Sequence, residues 1–189
     1  LLTIILSCKV DTTLKIGAER VNSYLPIIQN KNIAIVCNNS SKIDETHLVD
    51  SMLNLGVKVL KIFSPEHGFK VNKDAGEYII NEHYNRENIP IISLYGKNKK
   101  PTSDQLKGID LILFDLQDVG VRFYTYLSTL HYAIESAAEN NLQIVVLDRP
   151  NPNGHYIDGP VLDKKFKSFV GLHPVPIVYG MTIGEYAKM

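Results

Sequence analysis

Leu111-Ile112-Leu113-Phe114-Asp115-Leu116-Gln117-Asp118, residues 111–118, is the stretch that decides the fold. Positions 111–114 are all large and apolar, as in a strand covered on both faces; a strand with one wet face alternates. Apolar character then stops abruptly at acids and an amide. Working outward, the same grammar recurs at Asn32–Cys37 (NIAIVC) and at 144–147, with further strands at 57–63 and 91–95. Helical spacing fills the gaps. Val21, Tyr24, Leu25 and Ile28 share one face before the first strand. Leu48, Val49, Met52 and Leu53 share another, with Gly56 placed to follow the helix C-cap. Thr102 and Gln105, after Pro101, have capping-box spacing and predict a short helix. Leu127, Leu130, Ile134, Ala137 and Ala138 mark a longer one, and Thr182 with Glu185 predicts a helix beginning at Ile183. Strands alternating with helices imply a doubly wound, mostly parallel, Rossmann-like α/β sheet with right-handed crossovers.

Composition bounds the rest. The chain has 189 residues, 44% hydrophobic and 21% charged, enough for one large core and incompatible with disorder. Lys+Arg and Asp+Glu both number 20, so neither the basic footprint of a nucleic-acid binder nor a polybasic lipid patch is present. Two cysteines make neither a disulfide framework nor a four-ligand zinc site. Cys37 reads as a small buried hydrophobe. Cys8 is different: Ile5-Leu6-Ser7-Cys8 resembles the lipobox that ends a bacterial lipoprotein signal peptide, with Cys8 as the lipidated residue. With no initiator Met, residues 1–8 are expected to be a truncated signal segment and 9–16 a tether. Residues 17–180 are then the α/β domain, and 181–189 the start of a further C-terminal domain.

Parallel α/β sheets bind ligands outside the carboxyl ends of their strands. Those ends deliver Asn38, Asn39, Ser40 and Ser41; then Ser64-Pro65-Glu66-His67-Gly68; then Asp115, Gln117, Asp118, Gly120 and Arg122; and lastly Asp148, Arg149, Asn151 and Asn153. Several have structural alternatives. Asp115 and Asp148 suit caps, Asn151 and Asn153 suit turns, and Arg122 suits an ion pair with Asp118. Tyr124 and Tyr126 alternate like strand residues, one toward the core and one toward the cleft. Glu66-His67, held between Pro65 and Gly68 at a strand end, is poorly explained by solubility. The sequence carries no GxGxxG after its first strand, no GxxxxGK[ST], no GxSxG and no HExxH. What remains is carboxylate chemistry, either direct acid/base catalysis or a metal held by Asp, Glu and His. Saccharide cleavage uses the first inventory.

Three blocks then stand in order: Phe63-Ser64-Pro65-Glu66-His67-Gly68, Ser93-Leu94-Tyr95-Gly96, and Leu113 through Tyr126 (LFDLQDVGVRFYTY). Leu147-Asp148-Arg149-Pro150-Asn151-Pro152-Asn153-Gly154, Gly159-Pro160 and Tyr179 through Glu185 follow. Together they resemble the exo-β-N-acetylmuramidases, a glycoside hydrolase family long catalogued as a domain of unknown function. The resemblance runs from about Gly17 to Met189, departing at Asn39, where many members have Gln. It implies a Rossmann-like N-terminal domain joined to a C-terminal one, with the site between them. It also implies release of N-acetylmuramic acid from non-reducing ends of peptidoglycan fragments, with no cofactor and no nucleic acid. Glu66 is then the expected general acid, supported by His67, with Asp115, Asp118 and Asp148 as candidates for the second acidic role. Asn38, Gln117, Tyr124 and Asn151, together with those three aspartates, are expected to bind substrate, and Arg122 or Arg149 to take the lactyl carboxylate. A cell-envelope location through a lipid anchor at Cys8 follows. Two other classes stay open: a metal-dependent hydrolase using His67, Asp115 and Asp118, and a non-catalytic surface module that binds glycan.

Overall fold

Asn32–Cys37 forms β1, a central strand, in a computed structural model that describes residues 14–70, 82–84 and 87–189. Helix α1 (Val21–Ile28) precedes it. A small hairpin, β2 (Lys42–Ile43) and β3 (Thr46–His47), leads into helix α2 (Leu48–Asn54) and β4 (Lys58–Ser64). Then come β5 (Glu82–Tyr84), β6 (Ile89–Ser93), β7 (Leu111–Asp115), helix α3 (Tyr126–Glu139), β8 (Gln143–Val146) and helix α4 (Ile183–Lys188). The main sheet runs β5-β6-β4-β1-β7-β8, parallel throughout except for β5, which pairs antiparallel at the edge. This is the expected α/β class.

Both sheet faces are dry. Ile33, Ile35 and Cys37 of β1 pack with Leu111 and Leu113 of β7 beneath α1 and α2. Ala34 and Val36 pack with Ile112 and Phe114 beneath α3 and α4. Each Ile, Leu, Val or Phe among them contributes roughly 1.5–3 kcal/mol when fully buried, and both strands are apolar at every core position for that reason. β4 holds a feature not expected from its sequence. Ile33 pairs with Val59 but Ala34 with Lys61, so Leu60 is a bulge residue. The bulge lets Val59 and Ile62, three positions apart, enter the same core.

The helix ends follow local chemistry. After α2, Gly56 takes φ 74°, with Gly56 N donating to Leu53 O at 3.0 Å and Val57 N to Met52 O at 3.0 Å, a Schellman closure. Asn141 (φ 54°) closes α3 in the same way through Leu142 N and Ala137 O. At 102–105 the capping box forms reciprocally, Thr102 N to Gln105 Oε1 at 2.9 Å and Gln105 N to Thr102 Oγ1 at 3.3 Å, but no helix propagates. Gly108 turns the chain left-handed, and Asp110 N is already bonded to Asn32 O at the start of β7. A single turn fills the space. The third parallel strand also lies two residues earlier than expected, at Ile89–Ser93, where it pairs with β5.

His47 caps α2: its Nδ1 accepts from Val49 N at 3.2 Å, while Nε2 donates to the Asn38 carbonyl at 2.9 Å. That pattern needs the neutral ring, and burial lowers the pKa, the Asn38 bond opposing only in part. The folded state therefore binds this proton more weakly than the unfolded one. The stability His47 contributes is complete above about pH 6.5 and is lost as pH falls below it. Thermal melts from pH 8 to pH 5 are expected to show a decline that His47→Gln reduces; superimposable profiles would remove this role.

Candidate functional site

The order reversal that defines a Rossmann-like crevice falls between β1 and β7. Here the protein fills much of that crevice itself. Ser41 Oγ donates to the Asp115 carbonyl at 2.6 Å, and the buried Asp115 carboxylate receives Arg149 through two parallel bonds, Nε–Oδ1 at 2.6 Å and Nη2–Oδ2 at 2.8 Å. The Arg149 guanidinium also reaches the Ser40 carbonyl at 3.4 Å. Sequence placed both residues at the crevice; the fold spends them on each other.

One strand over, Glu66 follows β4. Gly68 N donates back to Pro65 O at 3.1 Å, a tight turn that forces His67 to φ 69°, where a glycine would sit without cost. A non-glycine residue held there stores strain of the kind found at functional turns. Thr125, the residue before α3, donates its hydroxyl to Glu66 Oε2 at 2.7 Å. Next in line, Tyr126 is buried, its hydroxyl accepting from Asn38 Nδ2 at 2.9 Å. Burial raises the Tyr126 pKa, with Tyr124 and Glu66 adding, so the phenol stays neutral. The Tyr124 ring meets that of Tyr126 edge-on at 4.7 Å. Both tyrosines belong to a turn and a helix start rather than to a strand, yet Tyr126 is buried and Tyr124 half-buried. Asn38 Oδ1 takes Ser40 N and Ser40 Oγ, and Asn39 joins the β1 loop to Phe69 and Lys70 behind the Glu66 turn. Glu66, Thr125, Tyr126, Tyr124 and Asn38 are thus one cluster.

The remaining expected residues go elsewhere. Asp148 Oδ1 accepts from Arg149 N and Gly184 N, and its Oδ2 from Thr182 Oγ1, so it fastens the start of α4. A Cβ at Gly184 would lie 2.5 Å from Asp148 Cγ, which is why that position is glycine. Asp118 is buried and accepts from Gly120 N at 2.7 Å and from the Tyr179 hydroxyl, while its Oδ1 has no partner; burial raises its pKa. Arg122 donates to the carbonyls of Pro160 and Val175, not to Asp118. Gln117 bonds the Asp118 and Pro150 carbonyls, and Asn151 bonds Met181 O and Asn153 N. Asp148, Arg149 and Asn151 line a separate groove of about 590 Å³ together with Lys15, Arg20 and Glu185. Among the described residues, no three His, Cys, Asp or Glu side chains are grouped as a metal site, so His67, Asp115 and Asp118 do not form one. Thr125 is the residue the sequence reading passed over; a hydroxyl just ahead of an apolar helix was its only signal. Cys8 lies outside the described residues.

The family description for the N-terminal part of exo-β-N-acetylmuramidase NamZ matches residues 33–189. The peptidoglycan β-N-acetylmuramidase NamZ of Bacillus subtilis (strain 168) is 48% identical over 137 residues, covering 72% of this chain and 33% of that protein. Two crystal structures of DUF1343 family proteins from Bacteroides fragilis NCTC 9343 superpose with it. One has a TM-score of 0.78 at 45% identity over 89% of this chain, the other 0.83 at 35% over 92%. The chain spans 44% of each of those structures, and so less than half the length of these relatives.

Proposed function

The chain belongs to the exo-β-N-acetylmuramidase NamZ family, matching its N-terminal part, and from that membership we propose that it supplies the general-acid half of an exo-acting glycosidase. Its substrate would be a peptidoglycan fragment from whose non-reducing end N-acetylmuramic acid is released. The observation that carries the assignment is the Glu66 carboxylate, held on the Thr125 hydroxyl beside Tyr126 at the carboxyl edge of the sheet. In this reading Glu66 gives its proton to the glycosidic oxygen as the bond from that oxygen to the anomeric carbon breaks, leaving an oxocarbenium-like sugar. Ser40, exposed, and Tyr124, half-buried, would meet sugar hydroxyls, while the buried Asn38 holds Tyr126 in place. Asp115, Asp118 and Asp148 are built into structural bonds. The second role therefore falls to the 2-acetamido oxygen of the substrate or to a group outside those three. The test is to incubate the full-length protein with a muramyl-glucosaminyl disaccharide and assay free N-acetylmuramic acid; no release, with the disaccharide intact, overturns the assignment.

A wall substrate lies outside the cytoplasm, and Ile5-Leu6-Ser7-Cys8 fits a lipobox. We place the mature protein on the cell envelope, anchored through Cys8. Cells fed a fatty-acid analogue are expected to label the wild type and not Cys8→Ala; equal labelling removes the anchor.

A further inference from the structure

We propose that Thr125 is a positioning residue for the reaction, fixing which oxygen of Glu66 delivers the proton; this rests on the assignment of Glu66 as general acid. Threonine just ahead of a helix ordinarily turns its hydroxyl back to a backbone amide of the first turn. Thr125 makes no such bond at α3. Its carbonyl does the structural work, accepting from Thr129 N at 3.0 Å and Thr129 Oγ1 at 3.2 Å, a task any residue performs. The hydroxyl is instead directed across to the β4 turn, onto Glu66 Oε2 at 2.7 Å, the short length of a hydroxyl bonded to a carboxylate.

The consequence is chemical. With Oε2 occupied by a donor, the proton of the acid form resides on Oε1, and the carboxyl cannot swing to offer the other oxygen. Positioning of this kind matters because a small misplacement of a proton donor costs large factors in rate. The neutral Tyr126 phenol lies near Glu66, with the Tyr124 ring against it.

The test uses the full-length enzyme on the disaccharide, with kcat and KM measured for Thr125→Val, Thr125→Ser and Glu66→Gln. Valine keeps the shape and removes the donor. Its kcat is expected to fall about tenfold with KM little changed. Thr125→Ser should stay within about twofold of wild type on both counts, since it keeps the donor. Wild-type kinetics in the valine variant overturn the proposal. So does a KM that rises in step with the fall in kcat, or an equal loss in the serine variant, either of which marks a purely structural threonine. If thermal melts show that valine does not fold, Thr125→Ala is judged by the same two criteria, and failure of both to fold assigns the hydroxyl to folding and ends the proposal. Wild-type turnover in Glu66→Gln removes the parent assignment; an inactive Glu66→Gln beside wild-type kcat in the valine variant removes only the role of Thr125.

Discussion

Glu66→Gln in the full-length enzyme is expected to lose on the order of 10²–10⁴ in turnover, the usual worth of a general acid. The substitution is conservative in every other respect. A glutamine carbonyl still accepts from the Thr125 hydroxyl, and the Pro65–Gly68 turn is made by backbone groups. Only the transferable proton is gone. Disaccharide affinity, measured by calorimetry, should therefore stay near wild type, because contacts shared by ground and transition states are untouched. Loss of binding in parallel with turnover would instead mark Glu66 as a recognition residue. Undiminished turnover would mark it as structural. In the second case the acid is not readily found among the three aspartates: Asp115 is neutralised by Arg149, Asp148 holds α4, and Asp118 is buried against Tyr179.

The sheet was legible because its strands carry their burial in their composition. Asn32–Cys37 and residues 111–114 are apolar at every core position, and only coverage on both faces explains that. α2 and α4 were legible because their stop and start signals, Gly56 and the Thr182–Glu185 box, act within a few residues. What failed to show was whatever depends on partners distant in sequence. The Leu60 bulge follows from how β4 fits β1, and its one local mark is the three-residue spacing of Lys58 and Lys61, which breaks the strand alternation. The two-residue strands β2 and β3 are too short for alternation to register. At the site, residue type identified which side chains reach the sheet edge but not whom they meet. Asp115 and Arg149 are 34 positions apart, as are Asp148 and Thr182, and both pairs read equally well as cleft ligands. Glu66 stood out because a turn between proline and glycine has little local use for a carboxylate. Thr125, 59 positions away, became visible only once β4 and the start of α3 were brought together.

Asp115→Ala is expected to be the most damaging single change to stability, costing about 3–5 kcal/mol, because it strands the Arg149 guanidinium without its counter-charge. The side chains are 0% and 8% exposed, so water cannot take over the role of the lost partner. Against a total domain stability of about 5–15 kcal/mol, that is a large fraction. Arg149→Met should cost less, since the carboxylate left behind can be neutralised by a proton. The double variant should recover much of the loss, the outcome expected when most of the single-variant penalty is an orphaned charge. Urea unfolding of all three variants measures the coupling; strictly additive losses would show that the two groups act independently. The pair also bears on function. Ser41 Oγ bonds the Asp115 carbonyl and Arg149 reaches the Ser40 carbonyl, so the ion pair braces the loop that carries Asn38. Asn38 in turn holds Tyr126 next to Glu66. An Arg149 variant that binds disaccharide normally yet turns over slowly would place the guanidinium in that brace. One that loses affinity for muramic-acid sugars, but not for a glucosamine analogue lacking the lactyl group, would return Arg149 to the substrate carboxylate.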